Sequence, residues 1–235
     1  MKLLLLSNST NYGDAYLYHA APMIKEVLGE VKEALFIPYA AVRFGYDEYV
    51  GKVNDGLKNT GMSVVGIHTY TDPERAIEES QVIMIGGGNT FKLLSLLYHY
   101  HLLDPIKAKV KAGTPYVGWS AGANVACPTI RTTNDMPIVE PPSLQALGLV
   151  PFQVNPHYTE KTIAGHNGES KQDRIMEYIE ENPNIYVACL PEGAALKVEN
   201  KSITILGNQE IKVYRKLEEI KDISPGAPID FLFHP

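Results

Sequence analysis

The sequence predicts an α/β fold: a three-layer sandwich whose mainly parallel central sheet is covered by helices on both faces, with a C-terminal antiparallel extension. Three observations point there. Short β-rich runs alternate with amphipathic stretches from residue 2 to residue 126. Two glycine-bearing turns each connect such a run to a helix, and after residue 190 short strands follow one another without intervening helices. Strand–helix alternation implies parallel pairing, because a parallel connection needs a crossover and leaves its strands buried on both sides.

The elements follow in order. Lys2–Ser7 reads as a strand and Tyr16–Leu28 as its helix; Ala34–Ala40 and Tyr46–Asn59 form the next pair, Met62–His68 and Pro73–Glu79 the third, and Gln81–Ile85 and Thr90–Tyr100 the fourth. Leu103–Lys111 continues as a helix, Pro115–Trp119 as a strand, and Ala121–Ala126 as the start of another helix. The rhythm changes at Pro128–Pro142, a polar, proline-bearing loop leading to Leu147–Asn155, a helix at Ser170–Glu181 and a strand at Ile185–Leu190. A meander of Ala194–Val198, Ser202–Leu206 and Ile211–Arg215 is expected, since Glu199-Asn200-Lys201 and Gly207-Asn208 supply hairpin chemistry. In sheets of this class ligands gather at the carboxyl ends of the strands, so residues just after each strand carry the functional interest.

Bulk properties narrow the class. No linker-like stretch divides the 235 residues, so one domain spanning 1–235 is expected. A net charge of −6 without a lysine or arginine stripe argues against a nucleic-acid partner. The longest apolar runs are too short to span a bilayer, and Leu3–Leu6 is brief and followed by polar Asn8-Ser9-Thr10-Asn11, which reads as a first strand rather than a signal peptide. Cys127 and Cys189 have neither metal-ligand spacing nor a disulfide pattern, in keeping with a reducing, cytoplasmic compartment. Oligomeric state, including a homo-oligomer, stays open at this level.

Chemistry concentrates in a few stretches. Gly118-Trp119-Ser120-Ala121-Gly122 lies between a strand and a helix, the setting of a nucleophile elbow, where small neighbours let strand and helix approach and the helix end favours a developing anion. Val82–Ile85 opens through Gly86-Gly87-Gly88 into a helix, so the backbone N–H of Gly88 could join that of Ala121 in an oxyanion hole. The glycines match neither the dinucleotide nor the phosphate-loop pattern, and Ser7-Asn8-Ser9-Thr10 stands where the first strand of a dinucleotide fold would carry glycines. A serine nucleophile needs a base. His157 follows the proline-ended run Phe152–Pro156 at the expected sheet edge, with His166 the runner-up; His68, His99, His101 and His234 lie elsewhere. For the carboxylate that orients the base, Asp135 in the dense polar loop and Glu192 after the strand Ile185–Leu190 both qualify.

Taken together, "MKLLLLSNST" at the N-terminus, "GGGNTF" of Gly86–Phe91, "GWSAGAN" of Gly118–Asn124, "CPTIRTTNDMPIV" of Cys127–Val139, "NPHY" of Asn155–Tyr158 and "LPEG" of Leu190–Gly193 resemble the peptidase E, or aspartyl dipeptidase, family. The resemblance runs in order over nearly the whole chain. It implies a fold similar to class I glutamine amidotransferases with Ser120 in place of their cysteine, and hydrolysis of Asp-X dipeptides without a metal or organic cofactor. It also implies Ser120 as nucleophile, His157 as base and Asp135 as the usual acid, with Glu192 as the alternative.

An Asp-X substrate carries a carboxylate and an ammonium near the cleaved bond. Arg131 is the first candidate for the carboxylate, with Thr132, Thr133 and Asn89 adding hydrogen bonds and Lys171 and Arg174 as weaker choices. Glu192 or Asp135, whichever does not orient the base, would receive the ammonium. A cyanophycin-type peptidase or general esterase would keep Ser120 and His157 and change the pocket. A glutamine amidotransferase is disfavoured, because Cys127 lies seven residues beyond position 120; a mere ligand-binding module would leave Ser120 unreactive.

Overall fold

Leu3, Leu4, Leu5 and Leu6 are all fully buried, which a strand achieves only when both of its faces are covered. In the computed structural model, which describes residues 1–161 and 168–234, these leucines form β1 (Lys2–Leu6) inside a seven-stranded sheet. The first half of the chain alternates as the sequence predicts: α1 (Ala20–Leu28), β2 (Glu33–Ile37), α2 (Tyr46–Leu57), β3 (Ser63–Gly66), α3 (Pro73–Glu79), β4 (Ile83–Ile85), α4 (Thr90–His99), α5 (Leu103–Lys111), β5 (Tyr116–Trp119) and the short α6 (Ala121–Asn124). Then come β6 (Gln153–Asn155), α7 (Lys171–Glu181), β7 (Val187–Cys189), β8 (Ala195–Glu199), β9 (Ser202–Leu206), β10 (Ile211–Tyr214) and β11 (Lys221–Ile223).

The large sheet has the order β3-β2-β4-β5-β1-β8-β9. Its first five strands are parallel, and β8 and β9 extend it antiparallel. Alternation splits each central strand between two cores. Leu3, Leu5, Ile37 and Ile85 pack with Ile77, Leu93 and Ile106 of α3, α4 and α5, whereas Leu4, Leu6, Phe36 and Trp119 pack with Ile24, Val53 and Leu57 of α1 and α2. Helices therefore cover both faces, as the α/β sandwich requires.

Helix starts follow local chemistry. Asp72 accepts from the Arg75 N–H at the head of α3, Asn89 caps α4 through the Lys92 N–H, and Ser170 and Asp173 form a reciprocal capping box on α7.

One expectation is corrected. The three C-terminal strands exist, but only β8 and β9 form the expected hairpin, across Asn200-Lys201. β10 leaves for a second sheet of order β11-β10-β7-β6, because Ile211 and Val213 reach the large core and Tyr214 a small one beside Tyr158 and Val187. Of Leu147–Asn155 only Gln153–Asn155 is a strand. Pro151 removes a ladder donor upstream, and Leu147, Leu149 and Phe152 are buried in irregular backbone instead. In the second sheet β6 and β7 run parallel, Asn155 opposite Cys189, so the residues just after each emerge side by side.

Candidate active site

Ser120 sits directly after β5, and the glycine turn sits directly after the neighbouring β4. The serine adopts φ 52° and ψ −112°, a left-handed conformation that costs a residue with a side chain about 1–3 kcal/mol. Its surroundings hold it there. The Ser120 N–H donates to the Leu6 carbonyl at 3.0 Å, and a Cβ on Gly122 or Gly118 would collide with the Ile85 or the Gly122 carbonyl oxygen. The N–H of Ala121 begins α6, where no intrahelical acceptor exists. Gly88 has φ +135°, and a side chain there would strike the Ala40 carbonyl. Neither the Gly88 nor the Ala121 N–H has a backbone acceptor among the described residues.

The second sheet brings the other groups. His157, two residues past β6, lies with Nε2 2.9 Å from Ser120 Oγ and Nδ1 3.1 Å from Glu192 Oε1. Glu192 stands just past β7, so the parallel register of β6 and β7 delivers both. Hydrogen bonds from the large sheet tie them down: the Ser7 hydroxyl donates to the Leu190 carbonyl at 2.8 Å and accepts from the His157 N–H at 2.8 Å, and Asn8 Oδ1 accepts from the Gly193 N–H at 2.8 Å. Lys171 Nζ donates to the His157 carbonyl; burial holds its pKa below the usual lysine value, against the opposing pull of Glu192. The imidazole and the carboxylate keep contact with solvent, their side chains being 40% and 53% exposed.

Asp135, expected beside the imidazole, is engaged elsewhere. Its Oδ2 accepts from the Thr90 N–H at 2.7 Å, the Thr90 hydroxyl at 2.6 Å and the Thr133 hydroxyl at 3.2 Å. A carboxylate at the head of α4 meets the helix's unsatisfied N–H groups and favourable dipole end, which fixes the polar loop to that helix. The other loop residues expected to touch substrate are likewise occupied within the fold. The buried Thr132 hydroxyl donates to the Val154 carbonyl and accepts from Asn124 Nδ2, Thr133 supports Asp135, and Asn89 caps α4 while donating to the Met136 carbonyl. Arg131 is exposed and lies outside the residues lining the cavity at Ser120. His166 falls outside the described residues.

That cavity holds about 710 Å³ and is lined by Ser9, Tyr16, Phe44, Tyr49, Lys52, Gly87, Gly88, Ser120, Asp135 and His157. Lys52 is the only lysine or arginine among these. Its ammonium lies 2.8 Å from Glu48 and 4.3 Å from the centre of the Phe44 ring. The sequence reading passed over Ser7, Asn8, Tyr49 and Lys52. Ser7 and Asn8 were findable as polar residues at the end of the first, central strand, whereas Tyr49 and Lys52 sit inside an ordinary-looking helix.

Comparison with known proteins identifies the family. The family described as Peptidase family S51 matches residues 3–206. Proteins named Peptidase E from Nostoc sp., Shewanella amazonensis and Citrobacter koseri are 49%, 45% and 47% identical, covering 98%, 99% and 96% of this chain and 96%, 99% and 99% of their own. Among solved structures, a candidate peptidase E from Listeria monocytogenes EGD-e superposes with TM-score 0.68 at 24% identity over 88% of this chain and 98% of its own. A peptidase from an acI-B1 Actinobacterium gives TM-score 0.66 at 16% identity over 97% and 96%. These two likenesses speak to the fold. No helix among the described residues is long and apolar enough to cross a membrane.

Proposed function

The chain belongs to peptidase family S51, and on that premise we propose that this peptidase hydrolyses Asp-X dipeptides through an acyl-enzyme on Ser120. The observation that carries the reading is the continuous line from Ser120 Oγ to His157 Nε2 at 2.9 Å and from His157 Nδ1 to Glu192 at 3.1 Å. A carboxylate at Nδ1 accepts a hydrogen bond from Nδ1–H, which keeps the proton on that nitrogen and leaves Nε2 as the basic nitrogen facing the serine. His157 takes the Ser120 proton as the hydroxyl attacks the scissile carbonyl. The N–H groups of Gly88 and Ala121 receive the oxyanion, an arrangement in which one lost donor costs about a hundred- to a thousand-fold in rate. The imidazolium, stabilised by Glu192, then protonates the leaving amine, and water releases the acyl group by the same path.

In this reading Asp135, saturated on one oxygen and lining the cavity, receives the substrate ammonium, and Lys52 receives the aspartate side chain. Two opposite charges lining one cavity match an N-terminal aspartate, which carries both. A small peptide substrate, action in the cytoplasm, a single domain and the absence of metal or organic cofactor belong to the same proposal.

Hydrolysis of an aspartyl chromogenic amide beside its glutamyl and asparaginyl analogues, by wild type and Ser120→Ala, tests it. Cleavage of the aspartyl compound alone, lost in the variant, is the expected outcome. Equal cleavage by the variant would remove Ser120 from the chemistry, and indifference to the side chain would remove the Asp-X specificity.

A further inference from the structure

The carbonyl of Gly87 and the N–H of Gly88 belong to one peptide unit. The bond is trans, as are all those described, so the two groups point in opposite directions and whatever fixes one fixes the other. With glycine on both sides, no Cβ opposes a flip of this unit, and on the adjoining side the backbone is pinned by the Asn89 N–H donating to the Ala40 carbonyl at 2.9 Å. The carbonyl itself is held by a side chain: the Tyr49 hydroxyl on α2 donates to Gly87 O at 2.9 Å.

The direction of that bond follows from its neighbours. Trp119 Nε1, which can only donate, reaches the Tyr49 oxygen at 3.2 Å, and the Tyr16 hydroxyl donates to it at 3.3 Å. The acceptor side of Tyr49 is thus filled and its proton is left for the Gly87 carbonyl. Tyr49 has little freedom to turn away. It is 3% exposed, with the Phe36 and Phe44 rings edge-on at 4.9 and 5.1 Å. Burial also raises its pKa, keeping the donor proton in place.

We propose that Tyr49 is a positioning residue for the oxyanion hole, holding the Gly87–Gly88 peptide so that the Gly88 N–H stays turned toward the developing negative charge. A relay runs from the Trp119 indole N–H through the Tyr49 hydroxyl and the Gly87 carbonyl to the Gly88 N–H, each bond polarising the next. Trp119 directly precedes Ser120, so the strand that delivers the nucleophile also anchors the donor that receives its charge. This inference rests on the reading of Ser120 as nucleophile and Gly88 as donor.

The test compares wild type, Ser120→Ala, Tyr49→Phe and the Tyr49→Phe, Trp119→Phe pair, the last also removing the indole N–H that the single change orphans. Each is assayed on the aspartyl chromogenic amide, with thermal midpoint as the check on folding. A boronic-acid analogue of aspartate, which forms a tetrahedral adduct on serine, reports on the hole; free aspartate reports on ground-state binding. Tyr49→Phe is expected to lower kcat about ten- to a hundred-fold, below the loss for deleting a donor outright. KM and aspartate affinity stay unchanged, boronate affinity falls by the same factor as kcat, and the double variant does the same should the single one fail to fold. A folded Tyr49→Phe enzyme with kcat and boronate affinity within about twofold of wild type, beside an inactive Ser120→Ala, would overturn the role of Tyr49 alone. Activity retained in Ser120→Ala would instead overturn the nucleophile reading beneath it.

Discussion

The two sheets meet at the candidate site and place their groups by different means. The large sheet positions Ser120 and Gly88 through backbone: fully buried strands end in turns so close that Gly118, Gly122 and Gly88 leave no room for a Cβ. The small sheet positions His157 and Glu192 through side-chain hydrogen bonds to backbone, from Ser7, Asn8 and Lys171, in a half-exposed setting. The Ser120 half is therefore intolerant of added volume, whereas the His157 and Glu192 half is sensitive to deleted polar atoms.

The largest effect is expected from breaking the line between the halves. Ser120→Ala should lower kcat by about a million-fold, as should His157→Ala, and the double variant should be little worse than either, because groups that act as one unit are not additive; single-turnover assays on the chromogenic amide read this directly. Next comes the cavity wall contributed by α2. Replacing Lys52 with methionine removes a charge-assisted bond worth about 1.5–3 kcal/mol, so the preference for aspartyl over asparaginyl amide in kcat/KM should fall about ten- to a hundred-fold. The smallest effect sharpens the contrast in placement. Ser7→Ala adds no volume and orphans the His157 N–H, costing about 1–3 kcal/mol. Since each kcal/mol moves Tm by about 2–4 °C in a chain of this size, calorimetry should show a drop of several degrees with a several-fold loss of kcat.

What could be read from the sequence was local. The requirement for small residues around Ser120 and the strand–helix alternation are each imposed by near neighbours, and each was visible. Pairing between distant segments was not. The strand Ile211–Tyr214 could be recognised by its composition, but its partner is β7 rather than β9. The same limit governs the acids: Glu192 reaches the imidazole because Asn155 registers opposite Cys189, and no spacing in the sequence encodes that register. The polar Thr129–Asp135 stretch invited a reading as substrate contacts, yet the Thr132 hydroxyl donates to the buried Val154 carbonyl and the Thr132 carbonyl accepts from Asn155 Nδ2. Tyr49 illustrates the remaining gap, a core aromatic by burial whose hydroxyl touches the site.

The most direct test of how the two halves cooperate is kcat for Glu192→Gln against Asp135→Asn on the aspartyl chromogenic amide. With Glu192 orienting the imidazole, Glu192→Gln should lower kcat by about a hundred- to ten-thousand-fold, in the range known for a lost histidine-orienting carboxylate, while Asp135→Asn acts chiefly on KM and leaves kcat within about tenfold. A near-normal kcat in Glu192→Gln together with collapse in Asp135→Asn would contradict this and return the orienting role to Asp135.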